Sequence, residues 1–133
     1  MADKSVADKL LIKPGSTLWV SDATRGDLLG PLPDGVAPTS DPAKASTSIV
    51  IADDADSVRR RFATDGRALL GSGNLWVLYR KGNKADINRD TLWPIVADFD
   101  MRPNGQVAID TTWSALRFRP NREGEGRFTG GAA

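Results

Sequence analysis

The sequence predicts an α/β fold: a mostly parallel sheet with helices on both faces, finished by a C-terminal antiparallel hairpin. Three observations carry this. Apolar, β-rich runs occur at residues 17–21 (TLWVS), Thr47–Ala52 (TSIVIA) and 75–79 (LWVLY). Segments with helical spacing or helix-stop signals separate them, so strand and helix alternate, which implies parallel strands. Residues 106–119 (QVAIDTTWSALRFR) then place Val107 and Ile109, and after a polar break Leu116 and Phe118, at a two-residue period. That is the pattern of two strands joined through residues 110–114.

Each element has its own local warrant. Residues 6–11 form one or two turns that pack Val6, Leu10 and Leu11. Lys13, Pro14 and Gly15 make a turn before the first strand. Leu18, Trp19 and Val20 are apolar at consecutive positions, which suits a strand covered on both sides. A loop at 22–27 leads to a short helix at 28–32, stopped by Gly30 and Pro31. Residues 35–37 make at best a short edge strand, because Pro33 and Pro38 flank them. Residues 40–46 are a polar loop.

After the second strong strand, residues 53–56 supply carboxylates for a helix start. The helix runs from about 56 to 70 with Val58, Phe62 and Leu69 near one face, and 71–73 (GSG) stop it. A basic loop at 80–84 follows the third strand. Asp86 or Asn88 then caps a helix with Leu92, Ile95, Val96 and Phe99. Pro94 should make that helix start late, near Thr91, or bend. Pro103, Asn104 and Gly105 read as a turn into the hairpin.

The chain has 133 residues, which suits one domain with a real core. Residues 6–120 are expected to form it, with 1–5 flexible and the Gly-, Arg- and Glu-rich 121–133 a disordered tail. The formal net charge of +1 gives no global field to recruit nucleic acid or an anionic membrane. No apolar run approaches the ~20 residues of a membrane helix. The polar start MADKSVADK has no signal-peptide core, so a cytoplasmic protein is expected. With no cysteine and no histidine, disulfides, thiolate nucleophiles, the Ser-His-Asp triad and Cys or His metal sites are excluded.

Several segments together carry a family resemblance. These are Lys9-Leu10 with residues 12–15 (IKPG), 29–36 (LGPLPDGV), 75–77 (LWV) and above all 108–118 (AIDTTWSALRF). They resemble the bacterial domain-of-unknown-function family 3052 over about residues 9–119. The resemblance implies a Rossmann-like fold, a trimmed relative of the S-adenosylmethionine-dependent methyltransferases. It also implies that the last strand is antiparallel and inserts between the third strong strand and the strand before it in sequence. The family often has a Pro-Lys-Lys type segment after that third strand; here Tyr79-Arg80-Lys81-Gly82 keeps one basic residue and loses the proline. The resemblance implies no activity.

In such sheets ligands sit outside the carboxyl ends of the strands. Segments 22–27, 53–54, 80–84 and 110–114 should converge there, and Asp22, Lys81, Asp110, Trp113 and Arg117 are the candidate ligand-binding residues. The plain alternative is that Asp22 and Asp53 serve turns and caps, Asp110 and Ser114 fix the hairpin, and Trp113 packs at the sheet edge. The first strand-to-helix turn reads SDATRGD, with Gly26 as its one glycine, where a nucleotide or methyl-donor cradle wants several. No cofactor, metal or catalytic residue is therefore expected. Asp53, Asp54 and Asp56 lack the glycine and distal glutamate of a calcium loop. Arg59, Arg60 and Arg61 point around a helix as a solvated face, and no aromatic platform for nucleic acid accompanies them. Trp19 and Trp76 belong to the core; Trp93 and Trp113 are candidates for a partner surface. The leading expectation is a non-catalytic binding or regulatory module with an unknown protein or small-molecule partner. The alternative is a small enzyme or ligand carrier using Lys81 with Asp22 or Asp110 at the rim.

Overall fold

The apolar runs without a polar face become the centre of the sheet. The computed structural model describes residues 5–82 and 86–129. The expectations for residues 1–4, for Asn83 and Lys84 in the basic loop, and for 130–133 lie outside the described residues. Strands β1 (Thr17–Val20), β2 (Ala37–Pro38), β3 (Thr47–Ala52), β4 (Asn74–Arg80), β5 (Met101–Ala108) and β6 (Trp113–Pro120) form one sheet among the described residues. Its order is β2-β1-β3-β4-β6-β5. β1 pairs in parallel with β2 and β3, and β3 with β4. β6 runs antiparallel to both β4 and β5. The last strand thus sits between β4 and the strand that precedes it in sequence, the insertion that the resemblance implies.

Helices cover both faces. Every residue of β3 is buried, so neither of its faces can be left to water. Helices α2 (Ala55–Leu69) and α3 (Arg89–Ala97) cover one face, where Val58, Phe62, Leu69 and Leu92 meet Val50, Val77, Leu116 and Phe118. The short α1 (Val6–Lys9) and the segment after it cover the other, where Leu10, Ile12 and Leu29 meet Leu18, Ile49, Trp76 and Leu78. Trp76 Nε1 donates to the Leu10 carbonyl at 2.9 Å, so the buried indole has its partner. Asp54 caps α2 through a reciprocal pair with Ser57, and Asn88 caps α3 through the same arrangement with Thr91.

Several expectations are corrected. Residues 103–105 are not a turn. They lie inside β5, with a register shift between Pro103 and Gly105 that leaves Asn104 as the extra residue of a bulge. Pro103 is tolerated because β5 is an edge strand, and Trp113 and Ser114 belong to β6 rather than to the connection. Helix α3 starts at Arg89, before Thr91, and keeps Pro94 inside it. Its start is set by the Asn88 cap, and Pro94 simply offers no N–H to the Asp90 carbonyl. The stretch at 22–32 winds earlier than expected, as 3-10 turns over Ala23–Leu29 that Gly30 ends.

Residues 121–129 were expected within a disordered tail, yet they fold back on the sheet and α3. Arg119 holds Glu125 through two bonds, at 2.9 and 3.0 Å, and Arg102 adds a contact at 3.3 Å. Arg127 donates to Asp98 at 2.8 Å, and the Phe128 ring stands edge-on to Trp93 at 5.0 Å. Trp93 is therefore covered by the chain itself. Composition does not reveal this, because the cations that hold Glu125 lie on β5 and β6.

Gly73 marks a close approach of backbones. Its N–H donates to the Ala45 carbonyl at 3.1 Å, and a Cβ there would sit 2.5 Å from the Ser46 carbonyl oxygen. We expect Gly73→Ala to cost roughly 1–3 kcal/mol, as overpacking against unyielding backbone does, read as a lowered urea midpoint. A second expectation concerns acid. Bonds from the Arg119 side chain and then the Arg122 N–H lower the Glu125 carboxyl from 4.5 to about 2, with the Arg102 charge adding to this. A depressed folded-state pKa gives stability that is full above about 4.5 and lost as pH falls through about 2. The contacts of 121–129 should therefore hold at the upper end of that window and release at the lower. Glu125→Gln should remove the pH dependence, followed by the Gly126 amide resonance.

Candidate functional site

The sheet changes direction of winding between β1 and β3, because β2 lies on one side of β1 and β3 on the other. The crevice outside their carboxyl ends is where open α/β sheets take ligands. Here it is bordered by Asp22 and Asp53. Asp22 caps the 3-10 turns: its Oδ1 accepts from the Thr24 hydroxyl at 2.5 Å and from the Thr24 N–H at 3.1 Å. The Thr24 hydroxyl bond holds its carboxyl below the usual range, helped by the Thr24 N–H and by the charges of Arg25 and Arg61.

Winding of 23–29 carries Arg25 across the crevice. Its Nη1 meets Asp53 Oδ1 at 2.9 Å and Oδ2 at 2.8 Å. Arg80, at the end of β4, reaches the same Oδ1 at 3.3 Å. Both guanidinium groups lie over the Trp113 ring, at 5.3 and 4.7 Å from its centroid. Trp113 itself is buried. One carboxylate, two guanidinium groups and an indole thus occupy the crevice.

A concave region lies on the α2/α3 face of the same rim. It has a volume of about 450 Å³ and is lined from β4, β5, β6 and the start of α3. The β4–β6 register sets Tyr79 opposite Ser114. Gln106 Nε2 donates to the Tyr79 hydroxyl at 2.9 Å and to Ser114 Oγ at 3.3 Å, and Ser114 Oγ donates to the Val107 carbonyl at 3.2 Å. Lys81 and Arg89 stand at its margin. A second groove of about 660 Å³ runs between α2 and α3, bordered by Arg59, Pro94, Phe99 and Arg127.

The five residues singled out from sequence do not form one site. Asp22 is committed to its cap. Asp110 closes the hairpin: its Oδ1 accepts from the N–H groups of Thr112 and Trp113, both at 2.7 Å. Lys81 Nζ donates to the Asp110 carbonyl at 2.5 Å and lines the 450 Å³ pocket. Trp113 lies on the opposite face, under Arg25 and Arg80. Arg117 is not at the rim at all. It pairs with Trp76 and donates to Asn74 Oδ1, at the amino end of β4. The reason is the direction of β6: each residue after Trp113 steps away from the rim, by about 3.4 Å in an antiparallel strand. The sequence placed the segments of Arg25 and Asp53 at the rim without singling out either as a ligand residue, with Asp53 weighed as a cap or cation ligand, and it gave no role there to Tyr79, Arg89 or Gln106. The alternation of Gln106 with Ala108 and of Ser114 with Leu116 was the one available signal for the pocket floor. Among the described residues, no group of three or more acidic side chains is arranged to hold a metal ion.

No family model matches the chain. No curated protein matches it either. Among solved structures, the chain is similar to a protein of the NADB-Rossmann superfamily from Streptococcus agalactiae, at 9% identity and a TM-score of 0.55. The likeness covers 96% of this chain and 72% of that one. The fold is therefore Rossmann-like. No helix among the described residues is long and apolar enough to cross a membrane.

The crevice geometry makes Trp113 a structural anchor and Arg80 an accessory. Trp113→Ala should cost about 3–5 kcal/mol, the usual loss for a buried aromatic. Arg80→Ala should cost no more than about 1 kcal/mol, since its ion pair is partly exposed. Urea unfolding of the two variants checks this order; equal losses would contradict it.

Proposed function

We propose that this chain is a non-catalytic binding or regulatory module on a Rossmann-like frame. We also propose, from the residues at 29–36 and 108–118, that it is a cytoplasmic bacterial protein of domain-of-unknown-function family 3052. The observation that carries the functional reading is the occupied crevice. Arg25, bonded to both oxygens of Asp53 and seated on Trp113, fills the place where a nucleotide or methyl donor would lie. The turn that would cradle such a group has Gly26 alone and is wound into 3-10 geometry. The partner in this reading is a small molecule or a protein that meets the carboxyl rim.

A small enzyme is the second reading, favoured by Lys81 standing beside Tyr79 in one pocket. Against it, the Lys81 ammonium already donates to the Asp110 carbonyl. A thermal-shift series with S-adenosylmethionine, its demethylated product, adenosine nucleotides and nicotinamide dinucleotides tests the leading reading. A ligand of the folded state adds about 2.7 kcal/mol at a hundredfold excess over its dissociation constant. We expect no rise in Tm with any of them; a reproducible rise overturns the reading.

A further inference from the structure

The 450 Å³ pocket beside α3 has an unbalanced lining. Lys81 and Arg89 contribute positive charge, and among the described residues no carboxylate lines it. The chain as a whole carries only +1, so the imbalance is local. The nearest acids in sequence are turned elsewhere: Asp86 Oδ1 accepts from the Ala55 N–H, and Asp90 borders the α2–α3 groove. The Arg89 side chain is exposed and makes no hydrogen bond or ion pair among the described residues. Lys81 uses one of its three donors on the Asp110 carbonyl.

The floor is polar and built. Tyr79 and Ser114 are 5% and 4% exposed, and the Gln106 amide nitrogen bridges their hydroxyls. The Gln106 carboxamide oxygen has no partner among the described residues, and the Tyr79 proton has no acceptor among them. Burying two hydroxyls under an exposed glutamine, with a spare donor and a spare acceptor beside a cationic margin, suits a ligand with hydroxyl groups and an anion. The volume falls within the ~300–1,000 Å³ of small-molecule sites. Two cations match the charge of about −1.5 to −2 on a phosphomonoester better than the single charge of a carboxylate. The anion would rest on side chains rather than on the helix end, because Asn88 already accepts from the Asp90 and Thr91 N–H groups.

We propose that this pocket binds a small hydroxylated phosphomonoester, with its phosphate between Lys81 and Arg89 and its hydroxyls on Tyr79 and Gln106. The proposal rests on the reading of the chain as a binding module and names its ligand class. The test is an amide chemical-shift titration of the full chain with inorganic phosphate and with glucose 6-phosphate, against glucose and sodium chloride at matched ionic strength. Expected are saturable shifts confined to 79–82, 88–89, 106–108 and 114 with both phosphates and not with glucose. Glucose 6-phosphate should be the tighter, with a dissociation constant on the order of 1 mM or below. Arg89→Gln, an exposed change that the fold should accept, should weaken it about tenfold. Absence of saturable shifts at these residues, shifts gathered instead at Arg25 and Arg80, or an unchanged affinity in Arg89→Gln would overturn the proposal. Those failures leave the module reading standing; that reading fails separately, through cofactor binding in the thermal-shift series.

Discussion

The fold depends on β3 having no solvated face. All six of its residues are buried, including Thr47 and Ser48, so material must cover it on both sides. That requirement dictates a layered molecule, with α2 and α3 above the sheet and α1 with the 3-10 turns below. It also requires every buried polar group to find a partner. Ser48 does so through the Ser72 hydroxyl at 2.8 Å, which ties the end of α2 to the strand beneath it. Gly73 allows this junction, since its bare Cα lets the chain pass against Ser46.

Much of this frame was legible in the sequence, and for a local reason. Runs such as 47–52 and 75–79 are apolar at both parities, which a half-exposed strand does not tolerate. The boundaries of β3 followed directly, and those of α2 within a residue, because Asp54, Ser57 and residues 71–73 are local start and stop signals. Pro94 misled because tertiary packing of Leu92, Ile95 and Val96 outweighs one missing hydrogen bond. Pro103 and Gly105 misled because turn residues and bulge residues are the same residue types.

The candidate site was less legible, since its members pair over long separations. Arg25 and Asp53 are 28 positions apart, and Gln106 and Tyr79 are 27 apart. No periodicity links such pairs. The sequence places segments at the rim but does not say which face each side chain takes, and that choice separates Lys81 from Trp113 by the thickness of the sheet. Arg117 shows the same gap in another way: knowing that β6 is antiparallel is not enough without counting its residues from the rim. The contacts of Glu125 lay hidden for a related reason, as its two arginine partners sit on strands that look complete without it.

The two edges of the sheet have a consequence for how this molecule meets others. One edge, β2, is two residues long and ends in Pro38. The other, β5, carries Pro103 and a bulge at Asn104. Neither presents a long, even row of free N–H and C=O groups, which is what a second chain needs to extend a sheet. Self-association by strand addition, and the fibrous aggregation that grows from it, are thereby discouraged at both ends. A protein partner would have to recognise side chains on the rim or the helical faces rather than borrow the hydrogen-bond ladder of the backbone.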